Sequence, residues 1–137
     1  MSSPTTSIWQ TLVGQCWADQ ADGNVLVYLS YTIDDPYAVH VLLATRVTFA
    51  SLVLVVGRDL LAEGLGSPAG DGDIRVAPFT PGRLCITVHG IIGDLWVILD
   101  ADDIRRFMID TFALVPLGEE TRHLDLDQEL RALTDQS

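Results

Sequence analysis

Short apolar runs broken by turn residues fill roughly the first hundred positions of this chain, and a helical stripe follows them. Ser7 to Trp17 predicts a first strand, with Ile8, Leu12 and Val13 as its apolar positions. Ala18 to Asn24, A-D-Q-A-D-G-N, has the composition of a hairpin turn. Val25 to Thr32 predicts a second strand. Its odd positions Val25, Val27, Leu29 and Tyr31 and its even positions Leu26 and Tyr28 are all apolar, so both faces are expected to be covered. Asp34-Asp35-Pro36 predicts a turn, because Asp opens turns and Pro presets φ. Tyr37 to Thr45 and Thr48 to Val56 predict strands three and four. The stretch Ala38 to Gly57 has the length of a membrane span. Arg46 at its middle and the polar break from Thr45 to Thr48 favour two buried strands instead.

The joint of the chain is Gly57 to Val76. The run Leu52 to Val56 enters it, and Arg58 to Glu63 reads as a short helix of good helix formers. Gly64 stands where a left-handed residue is expected to close that helix. Ser67-Pro68 and glycines 66, 70 and 72 make a turn-rich connector, and Asp73 to Ala77 predicts a fifth strand. Pro81-Gly82, within Pro78 to Gly82, suits a type II turn. Arg83 to His89 and Asp94 to Leu99 predict strands six and seven, closed into a hairpin by Gly90 to Gly93. About seven short strands joined by turns predict an antiparallel β core.

The period then changes. Asp100 can cap a helix running from Asp102 to Val115, with Asp103 at the third position. Ile104, Phe107, Met108 and Phe112 form one apolar stripe on it, and Pro116 and Gly118 end it. Asp125 with Gln128 predicts a second cap, for a last short helix striped by Leu126, Leu130 and Leu133. The fold class is α+β. Residues 1–6 read as a disordered tail, and 1–137 as a single domain.

With 48% apolar residues, a chain this long has enough core to fold without metal or disulfide staples. Its 19 acids face 8 arginines and no lysine, for a net charge of −11. A surface of that sign repels phosphates and membranes and favours neutral or basic protein partners. Cys16 and Cys85 have no metal or framework spacing and read as two free buried thiols of a reducing cytosol. The first residues, M-S-S-P-T-T-S, lack the basic and apolar regions of a signal peptide.

Candidate chemistry is sparse. Gly70-Asp71-Gly72-Asp73 lacks the lysine and following helix of a phosphate loop. As a calcium loop from Asp71 it would place Gly82 where a glutamate belongs. It reads as a plain turn. His40, His89 and His123 are scattered, with only His123 near further ligands, Asp125 and Asp127. Glu119, Glu120, Asp125, Asp127 and Glu129 read as a solvated acidic face, or else as a face for docking a protein. Arg58 and Asp59 serve the helix start and an ion pair, or else touch a partner. Trp9, Trp17 and Trp96 pack in the core or at a subunit face. No nucleophile–base arrangement emerges, so no catalytic, cofactor or metal residue is assigned and no enzyme is expected.

Four segments recur together in one family: D-P-Y-A-V (Asp35 to Val39), G-R-D-L-L-A-E-G-L (Gly57 to Leu65), G-D-G-D-I-R-V (Gly70 to Val76) and T-R-H-L-D-L-D-Q-E-L (Thr121 to Leu130). In this order they strongly resemble the SsgA-like family of sporulation and cell-division regulators of spore-forming actinobacteria. The resemblance spans Tyr31 to Leu133. It implies a cytoplasmic, non-catalytic protein at division septa, with FtsZ and an SsgA-like paralogue as partners. It also implies two antiparallel sheets with a C-terminal helix, assembled as a homotrimer and similar to the Whirly-type fold. That last likeness brings an alternative, a single-stranded nucleic-acid-binding module, against which the net charge stands. No partner-binding residue is carried over.

Overall fold

The computed structural model describes residues 5–18, 21–45, 51–90 and 93–121. Its elements are β1 (Ser7–Ala18), β2 (Ala21–Thr32), β3 (Ala38–Thr45), β4 (Ser51–Gly57), α1 (Arg58–Gly64), β5 (Ile74–Pro78), β6 (Arg83–Gly90), β7 (Gly93–Asp100) and α2 (Ala101–Leu114). The strands form one antiparallel sheet, in the order β4-β3-β2-β1-β7-β6-β5, curled into a half-barrel.

One sheet replaces the two implied by the resemblance, and the end of β1 is the reason. β1 pairs with β2 along its whole length, from Ser7↔Thr32 to Ala18↔Ala21. Its last residues also pair with β7, from Gln15↔Ile98 to Ala18↔Leu95. That short ladder joins a four-stranded half to a three-stranded half. The β1–β2 hairpin is also tighter than its turn-rich composition predicts. Gly23 and Asn24 are strand residues, opposite Cys16 and Gln15. The apolar pairs further along, such as Leu12↔Val27, set the register, and the polar residues near the turn follow it.

Alternation along each strand sorts the sheet into two faces. Inward go Leu12, Cys16, Val25, Val27, Leu29, Tyr31, Val39, Val41, Leu54, Val56, Leu84, Ile86, Val97 and Leu99, all buried. Leu61 of α1 and Ile104, Phe107 and Met108 of α2 join that cluster, so both helices cover the inner face. The two-sided cover expected of β2 is half met, because Leu26 and Tyr28 on the other side are only half-buried. Within the stretch 38–57, β3 and β4 pair antiparallel, from Ala38↔Gly57 to Ala44↔Ser51. No helix among the described residues is long and apolar enough to cross a membrane. The expected start of strand four at Thr48 and the helix from Leu126 to Leu133 lie outside the described residues.

α2 begins as its sequence predicts. Asp100 Oδ1 accepts from the N–H of Asp102 at 2.8 Å and of Asp103 at 3.1 Å. The stripe gains one member unforeseen in the apolar pattern, Thr111, which is fully buried. Its hydroxyl donates to the Met108 carbonyl at 2.8 Å, which satisfies the polar atom within the helix. The Pro81-Gly82 turn also forms: Arg83 N–H donates to Thr80 at 2.9 Å, and Gly82 has φ +84.

Gly64 departs from expectation. It is a helical residue of α1, closed by Leu65 in ordinary right-handed geometry, and the positive φ falls later, at Gly70 (+96). Glycine is needed at Gly64 for space. A Cβ there would stand 2.2 Å from Val76 Cγ1, so α1 lies almost on the β5 backbone.

Gly64→Ala is therefore expected to cost about 1–3 kcal/mol in urea denaturation. Gly72→Ala, with nothing within 4 Å of its added Cβ, should stay within about 0.5 kcal/mol. Equal costs would contradict the close approach. Phe107→Ala, at a fully buried position, should cost about 3–5 kcal/mol.

Candidate functional site

α1 opens on an arginine, whose charge has the wrong sign for the positive end of its own helix. Arg58 is not there for α1. Its side chain is 1% exposed and crosses beneath the sheet to the far end of α2. Nη1 donates to the Thr111 carbonyl at 3.1 Å and to the Val115 carbonyl at 2.7 Å. Nη2 donates to Glu120 Oε1 at 2.6 Å. α2 carries no basic residue in its last turn, so Arg58 supplies the positive charge that its C-terminus favours. The guanidinium lies 4.2 Å from the Phe112 ring centroid and 5.2 Å from that of Tyr31. Tyr31 in turn donates from its hydroxyl to the Pro36 carbonyl at 2.9 Å. Arg58 Nε has no hydrogen-bond partner among the described residues.

Glu120 completes the cluster. Its second oxygen accepts from the Gly118 N–H at 2.9 Å, which folds the turn after α2 back on itself. A hydrogen bond from its own backbone N–H, with those of Arg58 and Gly118 and the guanidinium charge, holds the Glu120 carboxyl below the usual range, against the opposing effect of burial. Glu120 therefore leaves the expected solvated acidic face, because a buried cation elsewhere in the chain claims it. The partner-contact reading of Arg58 falls on the same burial; Arg58 does form an ion pair, but with Glu120 and not at the start of its own helix, where no side chain caps. The two residues are 62 positions apart, so no local pattern links them. The only signal in the sequence was an arginine opening a helix that it does not suit.

The other face of the sheet is apolar without being covered. Val53 of β4, Leu42 of β3, Tyr28 of β2 and Thr11 of β1 form one cross-strand row, and Val55, His40, Ser30 and Trp9 form the next. Val53 is 56% exposed and Trp9 is 73% exposed. Trp17 and Trp96 sit opposite each other on β1 and β7, further along the same face. None of the three tryptophans is a core residue, since α1 and α2 fill the inner side.

Little else offers chemistry. Cys16 and Cys85 are free and buried. Burial pushes both thiols up, with Asp22 adding to it at Cys16 and a Thr87 hydrogen bond opposing it at Cys85. Such thiols are poor nucleophiles. His89 Nδ1 lies 2.9 Å from Asp94 Oδ1, His40 is half-buried on β3, and His123 lies outside the described residues, as do Asp125, Asp127 and Glu129. The described residues contain no group of three or more His, Cys, Asp or Glu arranged to hold a metal. A hollow of about 220 Å³ where β1 and β7 part is lined by Val13, Gln15, Asn24, Arg83 and Asp100. That is smaller than the usual small-molecule pocket.

Arg58→Ala is expected to cost about 3–5 kcal/mol, because it strands a buried carboxylate and two helix-end carbonyls. Glu120 also predicts a pH dependence. Its folded pKa is depressed, so its stabilisation is present above the ordinary carboxylate pKa and is lost as pH falls through the folded value. Glu120→Gln should flatten the acid side of the stability–pH curve. An unchanged acid limb would show that Glu120 is not held as an ion.

Among known proteins, the family described as "Streptomyces sporulation and cell division protein, SsgA" matches residues 25–120. The sporulation-specific cell division protein SsgB of Kineococcus radiotolerans is 41% identical over 110 residues, covering 77% of this chain and 66% of that protein. SsgB of Streptomyces coelicolor is 43% identical over 105 residues, covering 74% and 76%. The solved SsgA-like sporulation-specific cell division protein of Thermobifida fusca superposes with TM-score 0.84 at 28% identity, over 96% of this chain and 98% of that one. An SsgB structure, described with mutations that correlate to longitudinal cell division during sporulation of Streptomyces coelicolor, superposes with TM-score 0.78 at 33% identity, over 90% and 99%. Arg58 and Glu120 both lie inside the matched stretch, and the chain belongs to the SsgA family of sporulation and cell division proteins.

Proposed function

We propose that this chain is a single-domain, non-catalytic regulator of sporulation-specific cell division. It works by contact with other division proteins and helps to place FtsZ at septa in the cytoplasm. The observation that carries this reading is the apolar face left outside the half-barrel. Val53, Val55, Leu42 and Tyr28 lie there in adjacent strands, while both helices are spent on the inner face. An apolar surface of this kind marks a protein contact. The relatives named for sporulation-specific cell division supply the process.

The same face accounts for self-assembly. A homotrimer built on it would present several copies of one weak binding surface to a polymer, and multiple contacts raise avidity without strong single ones. An SsgA-like paralogue is the second expected partner. The nucleic-acid alternative is disfavoured on this face. Arg75 and Arg83 of the outward positions are accompanied by Asp22, Asp94 and Asp100, within a chain of net charge −11.

Val53→Asp is expected to give a folded monomer that no longer supports septation. Analytical ultracentrifugation reads its mass, and septal imaging in the host reads its function. A wild-type monomer at tens of micromolar would remove the assembly half of the reading. A monomeric variant that still supports septation would remove the link to function. A labelled oligonucleotide should show no anisotropy change at physiological salt, and micromolar binding would revive the alternative.

A further inference from the structure

The β1–β7 ladder places Trp17 directly opposite Trp96 on the outer face. Directly opposed residues of antiparallel strands bring their Cβ atoms to roughly 4.5–5.5 Å, close enough for two indoles to form one surface. Both rings keep substantial access to water, Trp17 at 39% and Trp96 at 37% exposed. Acids flank the pair on two sides. Asp22 of β2 is the cross-strand partner of Trp17, on the side away from Trp96. Asp94 precedes Trp96 by two residues, on the same face of β7. The Asp94 carboxylate also holds His89, at 2.9 Å. Beyond Trp96 the row continues to Thr87 of β6, and its first cation is Arg75 of β5, two strands away at roughly 10 Å.

We propose that the Trp17–Trp96 pair is a docking site for a basic segment of a partner protein, with an arginine or lysine laid on the indoles. The chemistry of the two components agrees. A tryptophan face attracts a cation through its quadrupole, more strongly than any other aromatic side chain. Asp22 stands one strand from Trp17, where a guanidinium stacked on that ring can donate to its carboxylate. The net charge of −11 adds long-range attraction for a basic partner and repulsion for an acidic one. The patch is separate from Val53 and Val55, which lie on the edge strand β4, three strands from β1 in the sheet order. The inference rests on the reading that this chain acts by contact with other proteins, and adds the chemistry of one such contact.

The test is a titration of the full chain with an acetylated arginine-glycine heptapeptide, followed by tryptophan emission at low and at physiological salt. An acidic heptapeptide of the same length is the comparison. The basic peptide should quench the emission and the acidic one should not. Trp17→Ala and Trp96→Ala should each weaken the basic peptide about tenfold, as loss of a desolvated cation–π contact does. Asp22→Asn should weaken it about threefold to fivefold. Asp110→Asn removes the same charge from the exposed side of α2 and should leave affinity unchanged. Circular dichroism checks that each variant is folded. Val53→Asp should bind the peptide as the wild type does, so this proposal and the assembly reading can fail separately. Equal effects of Asp22→Asn and Asp110→Asn would reduce the attraction to diffuse charge and overturn the proposal. So would full affinity in Trp17→Ala. An emission shift that tracks protein concentration, and is abolished with the oligomer in Trp17→Ala, would make the pair a contact between copies and overturn it too.

Discussion

Burying a guanidinium is among the most costly placements a fold can make, and only complete pairing makes it tolerable. Arg58 is paired on almost every side: Thr111 and Val115 carbonyls, the Glu120 carboxylate, and two aromatic faces. These partners come from β2, α2 and the turn beyond it, so one residue of α1 fixes how three separate parts of the chain meet. Much else depends on that meeting. α2 has no cap of its own at its C-terminal end beyond the Val115 N–H bond to Thr111. The turn at Gly118 is closed by the same carboxylate that neutralises the arginine.

The fold was legible wherever its cause was local. The cap at Asp100, the stripe of Ile104, Phe107 and Met108, and the Pro81-Gly82 turn each follow from a few adjacent residues, and each stands as the spacing implies. What was not legible depended on distant partners. Gly64 has its character from Val76, on the far side of a loop, and not from the helix that it ends. Glu120 looked like one more surface acid until Arg58 met it. The single sheet hangs on the last residues of β1 pairing with β7, a register that nothing in either strand announces. The tryptophans were ambiguous for a related reason. Their spacing on β1 put Trp9 and Trp17 on one face, but which face the helices cover is settled only by packing.

The two faces of the sheet therefore do different work. Inside, apolar side chains and the Arg58 cluster hold the helices in place. Outside, the same alternation leaves valines, Tyr28 and three tryptophans toward water, with acids beside the β1–β7 ladder. A rigid sheet held from one side is a sound platform for contacts on the other, because side chains on strands are positioned more closely than those on loops. Membership of the SsgA family places the chain in sporulation and cell division.

The central claim is that Arg58 makes the end of α2, the turn to Glu120, α1 and the end of β2 one cooperative unit. Native-state hydrogen exchange on wild type and Arg58→Met tests it most directly, because it reports local opening element by element. The claim predicts faster exchange in the variant at Val115, Gly118 and Glu119 together with Tyr31 to Ile33 and α1, while the β6–β7 ladder keeps its protection. Faster exchange confined to residues 116–121, with α1 and the end of β2 unchanged, would contradict it.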